Sequence, residues 1–176
     1  MTLIEALNGT LAPDNIRLQM VLLSIPYWGF DEQEHVGQLV VCNDLANEVR
    51  EIFRIIFEAK FPIEKMIPIS KYNWSDERST DDNNSSAFNY RPIHLTNRLS
   101  IHSFGRAIDI NPMQNPYIAI DGSVHPETST YNPLQPGTIL DGDIVVRTFE
   151  QFGWEWGGRW TDRKDYQHFQ KNEVHS

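Results

Sequence analysis

The chain has 176 residues, 40% hydrophobic and 11% aromatic, which is enough to build one core of ordinary size. Its 15 Lys and Arg against 24 Asp and Glu give a formal charge of -9, which repels a phosphate backbone and anionic lipid and excludes nucleic acid as an expected partner. Cys42 is the only cysteine, so an internal disulfide is excluded and any metal site has to be built from His and carboxylate.

In chain order, "MVLLSI" from Met20 is the longest apolar run, far short of the ~20 residues of a membrane span. It follows Asp14 and Arg17 rather than a basic leader, so no span and no export signal is read here, and the compartment stays open, the cytoplasm included. No repeat or Gly/Ser hinge divides the chain, which reads as a single domain over 1–176 with residues 1–36 as an N-terminal extension packed on it. "GQLVV" reads as a short strand. A helix is expected from Asn43, as N-cap, through "DLANEVREIFRIIFEAKF". There Leu45, Val49, Ile52 and Ile56 form a buried stripe, and Pro62 stops the helix near Phe61. "IEKMIPIS" reads as an extended segment whose proline suits an edge. Two polar stretches, "SDERSTDDNNSSAFNYR" and "NPMQNPYIAIDGSVHPETSTYNPLQPGT", read as loops, either disordered or covering a site. Between them "RAIDI" has the alternation of a strand, and after them "GDIVVRTFEQF" reads as a helix entered from Asp141 or Asp143 and closed by Gly153. Helices and short strands without βαβ alternation make the fold class α+β with a small antiparallel sheet.

One carboxylate stands out. Asp109 sits between Ile108 and Ile110, and burying an unpaired carboxylate costs several kcal/mol, so it requires a partner or a metal ion. His102 lies seven residues upstream across Gly105, which permits a tight bend. A hydrolytic zinc site takes three ligands from His and carboxylate and keeps one position open. The third ligand is sought in "DYQHF", where Asp165 and His168 are three apart and project to one side on a helical turn or tight bend. His168 is then the ligand and Asp165 the general base. From spacing alone the alternative stays open: satisfied structural histidines and a salt-bridged Asp109, with Arg106 among the cations that could pair with it.

"SIHSFGRAIDINPMQNPY" resembles the S-x-H-x-x-G-x-A-x-D signature of peptidase family M15, the D-Ala-D-Ala carboxypeptidase and L-alanyl-D-glutamate peptidase group, with "DYQHF" as the second motif. The likeness extends over "FPIEKMIPISKY", "NNSSAFNYR" and "GWEWGGRW", from about Gly37 to Phe169. The resemblance implies the small zinc fold shared with hedgehog signalling domains and hydrolysis of peptidoglycan stem peptides. It puts Zn2+ on His102, Asp109 and His168, and the acid/base on Asp165. An aspartate at that base position is nearer the L-Ala-D-Glu endopeptidase branch. Arg91 falls on the family's substrate-contacting arginine, where it would steady an oxyanion; read without the family it is a surface arginine ending a loop. Ser100 either orients a ligand or binds substrate. The implied partners are peptidoglycan-derived peptides, the implied site of action is the cell envelope or outside the cell, and the protein is expected to be a monomer. The alternative function is a non-catalytic zinc-binding module of the same fold.

Trp154, Trp156 and Trp160 read first as core and second as a substrate wall, with Gly157 and Gly158 allowing close approach. Glu155 is an alternative base whose direction the sequence does not give. His35, His94 and His175 receive no role, and His125, in the long loop, reads first as solvent-exposed and second as a residue that moves over the site.

Overall fold

A computed structural model describes residues 1–94 and 96–172, so His175 lies outside the described residues. Two short helices, α1 (Leu3–Ala6) and α2 (Asp14–Arg17), lead into a long antiparallel hairpin of β1 (Met20–Trp28) and β2 (Glu34–Cys42). The run "MVLLSI" is thus the start of a strand. Leu23, Ile25 and Tyr27 on one face of β1 are buried while Ser24 and Pro26 between them are exposed, the period-2 pattern of a half-buried strand. The strand read at "GQLVV" is longer than expected because its first residues pair with β1 at an exposed end, where apolar residues are not needed.

Helix α3 (Ala46–Glu58) lies against β1 and buries Val49, Ile52, Phe53 and Ile56, the expected stripe with Phe53 added. Its start differs from expectation. Asn43–Leu45 form a 3₁₀ turn, and no side chain caps either that turn or α3. The Asn43 main-chain N–H donates to the Gln19 carbonyl at 2.8 Å, tying the turn to the foot of β1.

The first polar stretch is not a loop throughout. Ser75 caps α4 (Asp76–Asp81), accepting from the Arg78 amide. Before it comes β3 (Lys65–Met66), the one short strand realised in "IEKMIPIS", followed by a 3₁₀ turn over Ile69–Tyr72. After it, β4 (Asn84–Ser85) pairs with β3 in parallel, so a parallel pair accompanies the antiparallel sheets. Residues 84–89 are all buried despite their composition. Burial is tolerated because partners are supplied: the Asn84 amide group exchanges bonds with both backbone groups of Ile67 (2.8 and 2.9 Å), Ser86 exchanges two with Asp109 (3.0 and 2.8 Å), and Phe88 donates to Val40. Composition reads this segment as surface because it counts side-chain polarity without the pairing that offsets it.

Next, a 3₁₀ turn over Ile101–Phe104 runs into β5 (Ala107–Asp109) through Gly105, whose φ is +63°. A side chain there would meet the Cys42 amide nitrogen at 2.6 Å, so glycine serves both the bend and the contact with β2. The second polar stretch holds β6 (Tyr117–Ile118) and β7 (Val124–His125), a small hairpin, and otherwise remains irregular. Helix α5 (Ile144–Gln151) is capped by Asp143, whose side chain accepts from Val146 at 2.9 Å. Then come β8 (Glu155–Trp156), β9 (Lys164–Asp165) and β10 (His168–Gln170). The sheets that position the site are β5-β10-β8 and β7-β6-β9, both antiparallel. The class is α+β, with several small sheets in place of one. Among the described residues no helix is long and apolar enough to cross a membrane.

Candidate metal centre

In the β5-β10 pair His168 stands directly opposite Asp109, and Phe169 opposite Ile108. Directly opposed residues share a face, so one face presents His168 and Asp109 while the other sends Ile108 and Phe169 into the core. Phe169 is fully buried and stacks on Phe149 with ring centres 4.0 Å apart. This alternation answers why a carboxylate sits in an apolar run: Asp109 occupies the site face of a strand whose neighbours face inward.

The third member arrives on the 3₁₀ turn. Ser100 caps it by accepting from the His102 amide, and Ser103 fastens it by donating from Oγ to the Arg91 carbonyl at 2.9 Å. His102 Nε2 lies 3.1 Å from Asp109 Oδ2 and 3.2 Å from His168 Nδ1, and His168 Nδ1 lies 2.9 Å from Asp109 Oδ1. All three residues are buried, and their ligand-type atoms fall within 4.8 Å of one another.

The outer nitrogens decide what the inner ones offer. His102 Nδ1 lies 2.6 Å from the Ala87 carbonyl oxygen, which only accepts, so Nδ1 carries hydrogen and Nε2 presents its lone pair inward. His168 Nε2 lies 3.1 Å from Gln170 Oε1, and its Nδ1 faces the centre. Two imidazole nitrogens and a carboxylate converging with their other atoms engaged is the donor set of a hydrolytic zinc site, and the residues fit such an ion.

Without metal the cluster is an ion pair. Burial alone would lower the His168 pKa, but the hydrogen bond and charge of Asp109, aided by Asp165, raise it to about 9. Burial would raise Asp109, yet the charges and hydrogen bonds of His102 and His168 hold it far below the ordinary carboxylate range. Arg106 is not its partner. That guanidinium bonds Asp44 at 2.7 and 3.0 Å, which removes the alternative in which Arg106 neutralises Asp109.

Asp165 ends β9, opposite Tyr117, and a turn rather than a helix separates it from His168. Its Oδ1 is sealed from solvent without a hydrogen-bond partner among the described residues. Burial pushes its pKa up to about 6, with the Asp109 charge adding and the two histidines opposing. The backbone of Gly157 packs on it so closely that a Cβ there would lie 2.6 Å from the Asp165 carbonyl oxygen.

Arg91 is joined to the His102 turn by its main chain, its amide donating to Ser103 Oγ at 3.0 Å. Its Nη2 pairs with Asp76 at 2.8 Å, and its buried Nε has no hydrogen-bond partner among the described residues. Asp76 also accepts from Asn89, whose own Oδ1 is buried and unpartnered. Trp154 and Trp156 are core, as expected, while Trp160 is half-buried with its ring 5.4 Å from that of His168. Glu155 is exposed and accepts from Gln170 at 3.0 Å. His35 pairs with Asp31, His125 packs near Tyr117, and His94 is exposed. The sequence reading missed the Ala87 carbonyl, Asp76 and Gln170. Only Gln170 had a readable signal: two positions beyond His168 on a strand, it shares that residue's face.

Comparison with known proteins gives a family model described as D-alanyl-D-alanine carboxypeptidase, matching residues 94–171. That span includes His102, Asp109, Asp165 and His168 and excludes Arg91, Asn89 and Asp76. No curated protein and no solved structure matches the chain. Residues 94–171, a little under half of the chain, are therefore similar to peptidase family M15.

Proposed function

We propose that this protein is a zinc-dependent peptidase that hydrolyses peptidoglycan stem peptides at an L-Ala-D-Glu or D-Ala-D-Ala type bond. The observation that carries this is the convergence of His102 Nε2, His168 Nδ1 and Asp109 at one buried point, inside the span that matches the family. Those three side chains would hold Zn2+, which when bound lowers the pKa of a coordinated water toward ~7 and polarises a carbonyl. Asp165 takes a proton from the attacking water on its carboxylate and returns it to the leaving amine. In the metal-free protein burial raises the Asp165 carboxyl to about 6, toward the range in which a carboxyl both takes up and returns a proton near neutral pH. The Arg91 guanidinium, held by Asp76, steadies the developing oxyanion, an effect worth roughly 3 to 4 kcal/mol for one well-placed donor. The fold on this reading is the hedgehog and DD-peptidase type in a single domain acting as a monomer, and the site of action is the cell envelope or outside the cell.

The experiment is direct. Zinc-loaded protein is incubated with defined L-Ala-D-Glu and D-Ala-D-Ala stem peptides side by side, and products are followed by mass spectrometry. Zinc-dependent cleavage of one class is expected. Stoichiometric zinc without cleavage of either would turn the reading into that of a non-catalytic zinc module.

A further inference from the structure

His168 differs from His102 in what holds its outer nitrogen. His102 is held by a main-chain carbonyl, which has one role. His168 is held by the Gln170 amide, which has two faces and becomes directional only when something else fixes it. That fixing group is Glu155. Its Oε2 lies 3.0 Å from Gln170 Nε2, and Asn172 Nδ2 adds a second donor to the same oxygen at 3.3 Å. An ionised carboxylate only accepts, so Gln170 must turn its NH2 toward Glu155 and its Oε1 toward His168. That oxygen also only accepts, so His168 must keep a hydrogen on Nε2, and the nitrogen it can free for a metal is Nδ1. The register supplies the alignment, because β8 and β10 set Gln170 opposite Glu155 and His168 precedes Gln170 by two on the same strand.

We propose that Glu155 and Gln170 are positioning residues: an exposed carboxylate, acting through one amide, selects the metal-binding tautomer and ring orientation of the buried His168. This gives Glu155 a place outside the chemistry, as the outer end of a relay rather than as a base. The inference rests on reading His102, Asp109 and His168 as a metal site.

Zinc affinity of the full chain, measured by competition with a chromophoric chelator, tests it apart from turnover. Gln170→Leu, similar in size and unable to accept, is expected to bind zinc ~10 to 100-fold more weakly. Gln170→Glu, which accepts from Nε2–H directly, is expected to bind at least as tightly as the unsubstituted chain. Glu155→Gln lets both amides reverse and is expected to fall between the two. Thermal unfolding of the metal-free proteins separates misfolding from the effect, since a loss of affinity with unchanged unfolding belongs to the site. If Gln170→Leu binds zinc like the unsubstituted chain, or Gln170→Glu is weakened as much as Gln170→Leu, the relay is wrong while the metal site stands. If the unsubstituted chain takes up no zinc, the metal site itself falls and the relay with it.

Discussion

The hairpin and α3, residues 20–58, and the face that carries the two histidines are built on opposite rules. In the first, Leu23, Val41, Val49 and Ile52 are fully buried, and among the described residues no polar or charged residue before Ser79 is buried. In the second, buried residues include Asn84, Ser86, Asn89, His102, Asp109, Gln167 and His168. The buried side-chain atoms left without a partner, Ser70 apart, all fall between Asn89 and Gln167. An unmade hydrogen bond at a buried group costs ~1–3 kcal/mol, so the apolar half supplies the stability that the polar half expends on holding groups ready. The two halves should respond to substitution in different measurements.

The largest effect is expected at Asp165, the proposed base. Asp165→Ala should cut turnover of the stem peptide by roughly 10² to 10⁴-fold while zinc stays bound, read by product formation and metal content together. Asp165→Asn, which keeps the shape and removes the charge, should behave alike. Turnover retained in both would remove Asp165 from the mechanism.

The scaffold should show the reverse. Ile52→Ala empties a fully buried position on α3 and should lower stability by about 2–5 kcal/mol in denaturant titrations, with zinc affinity of the folded protein unchanged. A drop in zinc affinity on the scale of a site variant would mean that the halves are coupled and the contrast between them is false.

The two halves were also unequally legible. The α3 stripe and the strand at Ala107–Asp109 follow from periodicity rules that act within a few residues and stand in the structure as read, and of the two caps read for α5, Asp141 or Asp143, the structure uses Asp143. Residues 84–89 did not follow, because their burial depends on partners as distant as Ile67, Asp109 and Val40. The same limit divides the site. His102, Asp109 and His168 could be singled out because a buried carboxylate needs explaining and motif spacing and the family resemblance offer an explanation, and the structure brings the three together. The Ala87 carbonyl leaves no mark in a sequence, and Asp76 reaches Arg91 from a helix that composition concealed.

A smaller effect follows from pH, with opposite signs for stability and metal binding. In the metal-free protein His168 is raised from 6.5 to about 9 and Asp165 from 3.8 to about 6, so both bind protons more tightly folded than unfolded. Their contributions therefore decline as pH rises, Asp165 between 3.8 and about 6 and His168 between 6.5 and about 9. Zinc must displace the His168 proton, so its affinity should climb about tenfold per pH unit below about 9 and flatten above. A zinc affinity flat between pH 6 and 9 would show that the metal-free cluster is not the ion pair described.

The smallest effect sharpens the contrast most, because it moves a reactive group without touching its chemistry. Gly157 lies where an added Cβ would sit 2.6 Å from the Asp165 carbonyl oxygen and 2.9 Å from its Cβ, and the nearer obstacle is main chain that cannot swing aside. Gly157→Ala must therefore displace the end of β9 and carry the Asp165 carboxylate with it, while His102, Asp109 and His168 stand on other elements. Catalytic geometry degrades over fractions of an ångström. A several-fold loss of kcat with unchanged zinc affinity is expected, and loss of zinc in step with kcat would mean that the base and the ligands share one rigid unit.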